Sequence, residues 1–378
     1  MMKQTNHLSV LAPAKITSLL FALLFGLSAS AVDHAGLDAK RQLSRPDSKA
    51  PNQTKKIKVF ILMGQSNMVG MGDIQPEDKP GTLAHLLKTD KKYPFLVDAA
   101  ANWTVRKDVY YYDARLKKGS YLSATSNNGK SIGPELGFGF VIGPQLDAPV
   151  LIIKSCIGNR SLGWDLLPPG SQRYVVDGKT YAGYQDSPAS WIEGQPKQTN
   201  DWYAGKQYDD DMANAKAALA NLVKIYPDYQ GQGYEITGFV WWQGHKDHLS
   251  PVYADRYELN LVNLIQQLRQ DYHAPNAKFV LATGCGNPGR TGLGLQIAEA
   301  QLAMGDAKKH PEFAGNVKCI DSRCCWPEAK DSPNPRQDYH YYRNAETYME
   351  VGLGLGWAMV DLLKGTDYTG NRWPLAKE

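Results

Sequence analysis

Short, continuously apolar segments alternate with amphipathic segments along most of this chain, and this alternation constrains its fold more than any other feature. Apolar runs of four to seven residues are typical of strands that are covered on both faces of a sheet. The segments between these runs repeat apolar residues at helical spacing. The strand candidates are residues 58–63, 109–112, 149–154, 236–242 and 278–283, and the helix candidates are residues 212–226, 254–272, 293–307 and 346–363.

This order of elements predicts an α/β fold in which a parallel sheet lies between two layers of helices. The chain has 378 residues, of which 43% are hydrophobic and 21% charged, and this is enough apolar material for one large domain. The formal net charge of +4 is small and the basic residues are dispersed, which argues against a nucleic-acid partner.

The N-terminal part of the chain has the pattern of an export signal. Lys3 and Lys15 precede an apolar run at residues 16–27, and Ala29 and Ala31 supply the small residues of a cleavage site. The run is short for a bilayer, and no later segment approaches the roughly 20 apolar residues of a spanning helix, so we expect no stable membrane insertion. The sequence predicts a signal peptide at residues 1–31, a flexible polar linker at residues 32–56, a folded domain at residues 57–378, and export to the periplasm or the extracellular medium.

Five cysteines lie in the predicted folded domain, and their spacing bears on metal binding. An odd number leaves at least one thiol outside any disulfide. A structural zinc site needs two spaced pairs of ligands, whereas three of these cysteines form a single cluster. No metal site is therefore predicted from Cys156, Cys285, Cys319, Cys324 and Cys325.

Ser66 directly follows the first strand candidate, in the sequence GQSN at residues 64–67. In open parallel sheets, ligands bind beyond the carboxyl ends of the strands, so this position suits a catalytic nucleophile. The neighbouring glycines do not form a dinucleotide-binding loop, a phosphate-binding loop or a G-x-S-x-G turn. The alternative interpretation is that Ser66 is a turn residue that caps the following helix.

Two other strand candidates are followed by residues that suit an oxyanion hole. Gly158 lies after the run at residues 149–154, and Gln243 directly follows the run at residues 236–242. Backbone and side-chain N–H groups at such positions can point at the negative charge that develops in acyl transfer. A serine nucleophile also needs a base, and His340, just before the last helix candidate, has a suitable place in the order of elements.

Five sequence features together resemble one known group of hydrolases. They are GQSNM at residues 64–68, GPELGFG at residues 133–139, the Gly158 segment, WWQG at residues 241–244 and the late histidine. From about residue 56 to residue 363, the chain is similar to the SGNH hydrolases, and specifically to carbohydrate esterase family 6 and the sialate O-acetylesterase-like group.

The resemblance implies a three-layer α/β/α sandwich with a flavodoxin-like parallel sheet. It implies the removal of O-acetyl groups from carbohydrates, either an acetylated polysaccharide or sialic acid, through a covalent acetyl-serine intermediate. The implied roles are Ser66 as the nucleophile, His340 as the general base, and the Ser66 amide, the Gly158 amide and the Gln243 side chain as oxyanion donors. This chemistry needs neither a metal nor an organic cofactor.

The third member of the catalytic group is not settled by the resemblance. The family often carries an aspartate three residues before the histidine, where this chain has Gln337. The acid orients the imidazole and stabilises its charged form, which a neutral amide does less well. The alternatives are Asp338, which we prefer, Asp247 from the loop after WWQG, or a backbone carbonyl in a Ser–His dyad.

The substrate is less constrained than the chemistry. A tyrosine-rich insertion around residues 165–208 provides aromatic side chains for contact with sugar rings. Two other functions are alternatives: a non-catalytic glycan-binding protein on the same fold, and a lipase or thioesterase of the wider SGNH group. The candidate substrate ligands near the predicted site are Gln65, Asn67, Asn159, Arg160, His245 and Lys246.

Overall fold

The computed structural model describes residue 43 and residues 50–367 of the chain. The predicted signal peptide at residues 1–31 and most of the predicted linker at residues 32–56 lie outside the described residues. Within the described part, no helix combines the length and the apolar character that a membrane span requires.

A large, mostly parallel sheet lies at the centre of the described residues. The strands are β1 Ile57–Gly64, β2 Gly72–Asp73, β3 Arg106–Asp113, β4 Lys118–Leu122, β5 Ser131–Ile132, β6 Val150–Lys154, β7 Tyr174–Val176, β8 Lys179–Tyr181, β9 Ser190–Ile192, β10 Tyr234–Trp242, β11 Lys278–Ala282 and β12 Val317–Ile320. Within residues 50–367, seven of them form the large sheet in the order β12-β11-β10-β1-β6-β3-β4. Strands β2 and β5 pair separately, and β7, β8 and β9 form a small antiparallel sheet.

The strand order of the large sheet confirms the predicted fold class. All neighbouring strands are parallel except β3 and β4, which form an antiparallel hairpin at one edge. Without this hairpin, the sheet runs β6-β1-β10-β11-β12, which is the flavodoxin-like order 2-1-3-4-5. The carboxyl ends of β1 and β10 therefore border the crevice where sheets of this kind bind their ligands. Each of the five strand candidates forms one of the parallel strands.

Helices on both faces explain why these strands are continuously apolar. Phe60 and Leu62 of β1 pack into the core on one face, whereas Ile61 and Met63 pack on the other. Full burial of a side chain of this size contributes about 1.5–3 kcal/mol through the hydrophobic effect. The helices of the described residues are α1 Ser66–Val69, α2 Leu83–Lys88, α3 Pro134–Gln145, α4 Lys206–Ala220, α5 Leu222–Ile225, α6 Pro251–Asp271, α7 Gly292–Ala303 and α8 Ala345–Lys364. Side chains of α3 and α8 fill the first core, and those of α4, α6 and α7 fill the second.

Two glycines allow α3 and α8 to pack with their backbones in contact. A Cβ atom on Gly137 would lie 2.6 Å from Leu353 N, and a Cβ atom on Gly352 would overlap Pro134 O. A larger residue at either position would therefore push the two helices apart. This close packing explains the glycine at position 137 of the GPELGFG sequence.

Residues 164–205 form a small unit that we call the β7–β9 lobe. The Gly205 N–H donates to Trp164 O at 2.8 Å and so joins the two ends of the lobe. The lobe has a core of its own, against which Trp164 packs, formed by Leu167, Ala182, Trp191 and Ala204. It lies within the predicted insertion and follows the loop after β6 in the chain.

Candidate active site

The turn after β1 places Ser66 at the carboxyl edge of the sheet. Gly64 has a φ of +151°, and a Cβ atom there would overlap the carbonyl of Trp242 on β10, so this position requires glycine. Gln65 is extended, with a φ of −126°, and Ser66 is the first residue of α1. Ser66 is 8% exposed, whereas Gln65 is 1% and Asn67 is 0% exposed. The serine is therefore the most accessible residue of this turn.

The loop after β6 brings Gly158 against Ser66. A Cβ atom on Gly158 would lie 3.4 Å from the Ser66 Cβ atom. Among the described residues, no backbone carbonyl accepts a hydrogen bond from the Gly158 N–H. This geometry supports an oxyanion role for the two backbone amides, and that role stays a prediction.

Asn67 joins the Ser66 turn to the segment that carries His340. Its Nδ2 donates to Tyr339 O at 3.0 Å, and its Oδ1 accepts from the Tyr348 hydroxyl at 2.6 Å. The same hydroxyl lies 3.2 Å from His340 O. The structure thus brings the Ser66 and His340 segments together at one edge of the sheet.

His340 is half-buried in the helical turn Asp338–Arg343, and Gln337 contacts its ring. His340 Nδ1 lies 3.2 Å from Gln337 Oε1. An amide oxygen only accepts hydrogen bonds, so this contact selects the tautomer with the proton on Nδ1 and the lone pair on Nε2. Burial, assisted by the charges of Arg343 and His245, lowers the pKa of His340 to about 4. The imidazole is therefore neutral at neutral pH, as a general base must be.

Asp338 does not contact the His340 ring as the third member of a catalytic triad would. Its side chain is exposed and accepts a hydrogen bond from the Tyr339 N–H at 2.8 Å. His340 N donates to Gln337 O at 3.0 Å, and this turn places Gln337 and not Asp338 next to the imidazole. The expectation for Asp338 is corrected accordingly.

Asp247, the alternative acid, is fully buried behind the loop that follows β6. Its carboxylate accepts from Leu162 N at 2.8 Å, from Gly163 N at 2.7 Å and from Gln243 Nε2 at 2.5 Å. Burial raises its pKa to about 7 in spite of these donors. Asp247 therefore fixes the loop, and the expectation that it pairs with His340 is corrected as well.

Gln243 is not available as an oxyanion donor in this structure. Its Nε2 donates to Arg160 O at 2.9 Å and to Asp247 Oδ2, and these two bonds use both amide protons. Its Oε1 accepts from the Tyr257 hydroxyl at 3.0 Å. The side chain is fully buried and holds the backbone of the Gly158 loop in place. The predicted oxyanion donors are thereby reduced to the backbone amides of Ser66 and Gly158.

The amide side chains on either side of Ser66 connect loops and do not face a ligand. Gln65 Oε1 accepts from Gly244 N at 3.4 Å and from Lys246 N at 3.3 Å, and so connects the turns after β1 and β10. Because Gln65 and Asn67 are almost completely buried, neither reaches a substrate. Their predicted role in substrate binding is corrected to a role in positioning the loops.

The other predicted substrate ligands lie on the loops around the crevice. Asn159 is exposed, with a left-handed φ of 57°, and Arg160 is half-buried. His245 Nδ1 lies 3.0 Å from Gly286 O, and burial lowers the pKa of His245. Lys246 is half-buried in the same loop. These four side chains are accessible to a ligand, and their part in substrate binding stays a prediction.

Lys154 and Glu135 form a buried ion pair that sequence reasoning did not assign to the site. Their charged groups are 2.9 Å apart, and their side chains are 1% and 2% exposed. Lys154 Nζ also donates at 2.8 Å to Val69 O in α1 and so attaches β6 to the helix that begins at Ser66. The available signals were a lysine that ends an apolar run and the glutamate of GPELGFG.

The five cysteines differ in their exposure. Cys156, Cys285 and Cys319 are buried, Cys325 is half-buried, and Cys324 is exposed. Within residues 50–367, no group of three or more histidine, cysteine, aspartate or glutamate side chains is arranged to hold a metal ion.

The C-terminal half of the chain matches a known family. Residues 188–360 match the model of a family described as carbohydrate esterase, sialic acid-specific acetylesterase. The match spans Gln243 and His340, and it confirms the resemblance to the sialate O-acetylesterase-like group. It supports activity as a carbohydrate esterase. No curated protein matches the chain.

Several solved structures are similar to this chain at low sequence identity. A protein from Arabidopsis thaliana is 18% identical with a TM-score of 0.48, over 82% of this chain and 98% of that chain. A novel carbohydrate acetylesterase from Xanthomonas citri is 15% identical with a TM-score of 0.45, over 82% of this chain and 57% of that chain. NanS is 14% identical with a TM-score of 0.42, over 84% of this chain and 98% of that chain.

Proposed function

We propose that this chain, which resembles the carbohydrate esterases over residues 188–360, is a serine esterase that removes O-acetyl groups from carbohydrates. The observation that carries the proposal is the meeting of Ser66, Gly158 and the His340 segment at the crevice between β1 and β10. Three loops supply a hydroxyl, a backbone amide and a neutral imidazole there. These are the groups that ester hydrolysis by a nucleophilic serine requires.

In the proposed mechanism, His340 Nε2 takes the hydroxyl proton of Ser66 as the oxygen attacks the acetyl carbonyl carbon. The N–H groups of Ser66 and Gly158 stabilise the oxyanion that forms. The bond to the sugar oxygen then breaks, and the imidazolium returns the proton to that oxygen. A water molecule, deprotonated by His340, finally hydrolyses the acetyl-serine. Each cycle consumes one ester and one water and yields acetate and a sugar hydroxyl.

In this mechanism Gln337 orients the imidazole of His340, as the acid of a catalytic triad does. It carries no negative charge that would stabilise the imidazolium. Its amide oxygen holds the Nδ1 proton of His340 and thereby directs Nε2 to the nucleophile. Export of the enzyme is a further part of the proposal and is supported by residues 1–31 of the sequence.

The proposal is tested by the acyl-chain preference of the purified protein. We expect p-nitrophenyl acetate to be hydrolysed at least about a hundredfold faster than the octanoate, because a longer chain has to fit beside the Gly158 loop, which lies close to Ser66. We also expect release of acetate from acetylated glycans, measured enzymatically. A fluorophosphonate probe should modify the peptide that contains Ser66, as detected by mass spectrometry.

The alternative functions give different results in the same assays. A preference for the octanoate would indicate a lipase or thioesterase and would contradict the acetylesterase proposal. Binding of an acetylated glycan without acetate release or probe labelling would indicate a non-catalytic glycan-binding protein.

The pH profile provides a test of the Gln337–His340 contact. Protonated imidazole cannot accept the serine proton, so kcat/KM should fall only as the pH drops through about 4, the pKa of His340. The isosteric substitution Gln337→Glu places a carboxylate beside Nδ1, which favours the charged imidazolium. We expect the acid limb of the profile to move upward by about one to three pH units. Initial rates with p-nitrophenyl acetate from pH 3.5 to 8 measure this shift.

Asp338→Asn is the matched control for this substitution, because it changes one charge at the neighbouring, exposed position. We expect its acid limb to stay within about half a pH unit of the wild type, since exposed charges are screened. The assignment of Gln337 would be wrong if Asp338→Asn moved the limb and Gln337→Glu did not.

A further inference from the structure

A cleft of about 480 Å3 lies between the loop after β6 and the β7–β9 lobe. This volume is within the range of small-ligand sites. The residues that line the cleft include two tryptophans, an arginine and three other polar residues, namely Trp164, Trp202, Arg160, Asp165, Asn200 and Ser190. Aromatic surfaces combined with paired donors and acceptors suit a sugar ring, which has apolar C–H faces and a rim of hydroxyl groups.

The cleft adjoins the proposed reaction centre through its own loop. Arg160 is two residues after Gly158, so their Cα atoms are at most about 7.6 Å apart. Gly158 in turn lies so close to Ser66 that a Cβ atom on it would be 3.4 Å from the Ser66 Cβ atom. A ring bound in the cleft is therefore about one sugar unit away from an acetyl group at the serine.

Arg160 has hydrogen-bonding capacity left for a ligand. Its Nε donates to Gln207 Oε1 at 3.3 Å and its Nη1 to Asn159 O at 3.4 Å, and both bonds are long. Arg173, by contrast, forms a two-pronged contact with the carboxylate of Asp186. The guanidinium of Arg160 is thus held in place but not saturated by a carboxylate.

The charges of the cleft are balanced. Arg160 Nη1 lies 3.9 Å from Asp165 Oδ1, and both groups border the same space. Lys206, which lies near the Trp202 ring, contacts both carboxylate oxygens of Asp210 at 3.0 Å. A ligand with a negative charge would meet Asp165 without an excess of positive charge to compensate for it. The balance favours an uncharged ring.

We propose that this cleft binds an uncharged sugar ring next to the acetylated one, so that the substrate is an O-acetylated neutral oligosaccharide or polysaccharide. This inference rests on the proposed esterase function. The guanidinium of Arg160 lies 4.4 Å from the ring centre of Trp202, so that the two side chains form one wall of the cleft. The β7–β9 lobe then serves as a glycan-binding wall of the enzyme.

The test compares a glycan ester with an ester that cannot fill the cleft. Acetylated xylo-oligosaccharides and p-nitrophenyl acetate are assayed with the full chain, and the ratio of their kcat/KM values is the readout. For Trp202→Ala we expect this ratio to fall at least about tenfold, because tryptophan truncations are among the costliest at binding surfaces. Asn200→Ala, an exposed change, should lower it about threefold. Trp103→Ala removes an equally half-buried tryptophan elsewhere and should leave the ratio unchanged.

The possible results separate this inference from the proposed function. If Ser66-dependent hydrolysis persists and both cleft variants keep the wild-type ratio, the cleft does not bind the substrate. If the wild type prefers O-acetylated sialic acid to the neutral oligosaccharide, the ligand is charged and the inference is overturned. If no ester is hydrolysed in a Ser66-dependent way, the esterase proposal itself fails. Far-UV circular dichroism and thermal melting verify that each variant is folded.

Discussion

Replacing His340 by alanine is expected to lower kcat for p-nitrophenyl acetate by about four to six orders of magnitude. A serine hydroxyl is a weak nucleophile unless a base takes its proton as it attacks, and the structure presents His340 as a neutral imidazole with its lone pair on Nε2. The residual rate should rise with pH, because hydroxide then replaces the missing base. Release of p-nitrophenol between pH 5 and pH 9 measures both effects.

His273→Ala is the matched control for this substitution. His273 is exposed and precedes β11, so it lies at the amino edge of the sheet, opposite the proposed site. We expect its kcat to equal that of the wild type within about twofold, as for a surface change away from the chemistry. A His340→Ala enzyme that kept more than a tenth of the wild-type kcat would exclude the histidine as the general base.

Replacing Ser66 by alanine is expected to have an effect of similar or larger size, about six orders of magnitude in kcat. In the proposed mechanism this hydroxyl oxygen forms the acetyl-enzyme, so neither a burst of p-nitrophenol nor labelling by the fluorophosphonate probe should occur. Binding should persist, because the oxyanion amides and the cleft remain. Isothermal titration with an acetylated oligosaccharide measures this retained affinity.

Ser120→Ala is the control for the loss of a hydroxyl group. Ser120 lies on the edge strand β4 and is exposed. We expect its turnover to match the wild type. Substantial activity of Ser66→Ala, together with labelling of another residue, would move the nucleophile to a different position and end the proposed mechanism.

The architecture could be predicted from the sequence because every central strand is buried on both faces. The five predicted runs correspond to β1, β3, β6, β10 and β11, and their continuous apolar character follows from the two layers of helices. Several elements are not predicted from the sequence, and β12 and α3 are two of them. β12 has only four residues, and α3 is apolar all round, with glycines at positions 137, 139 and 143, so it lacks a helical period.

The site could be predicted only to the level of loops. The sequence identified Ser66, Gly158 and His340 through their positions after strands or before a helix, and the structure brings these segments together. It could not show where a side chain points. Gln243 follows its strand as predicted, but its amide turns into the protein and donates to Arg160 O.

Gln337 is a second residue whose role could not be predicted from the sequence alone. It occupies the position of the missing aspartate, but a neutral amide is a poor substitute by charge, and the sequence alone therefore favours the neighbouring Asp338. The three-residue spacing from His340 identifies the side chain beside the ring better than the negative charge of Asp338 does. A turn closed by the hydrogen bond from His340 N to Gln337 O separates the two residues, and it decides which side chain reaches the ring.

The loops around Ser66 are held together mainly by side-chain amides that bond to main-chain atoms of other loops. Gln65 accepts from the N–H of Lys246, Asn67 donates to the carbonyl of Tyr339, and Gln243 donates to the carbonyl of Arg160. Every residue offers the same main-chain atoms whatever its side chain. The side chains at positions 160, 246 and 339 can therefore change in evolution without loss of these bonds, while three amides hold the loops around Ser66 together.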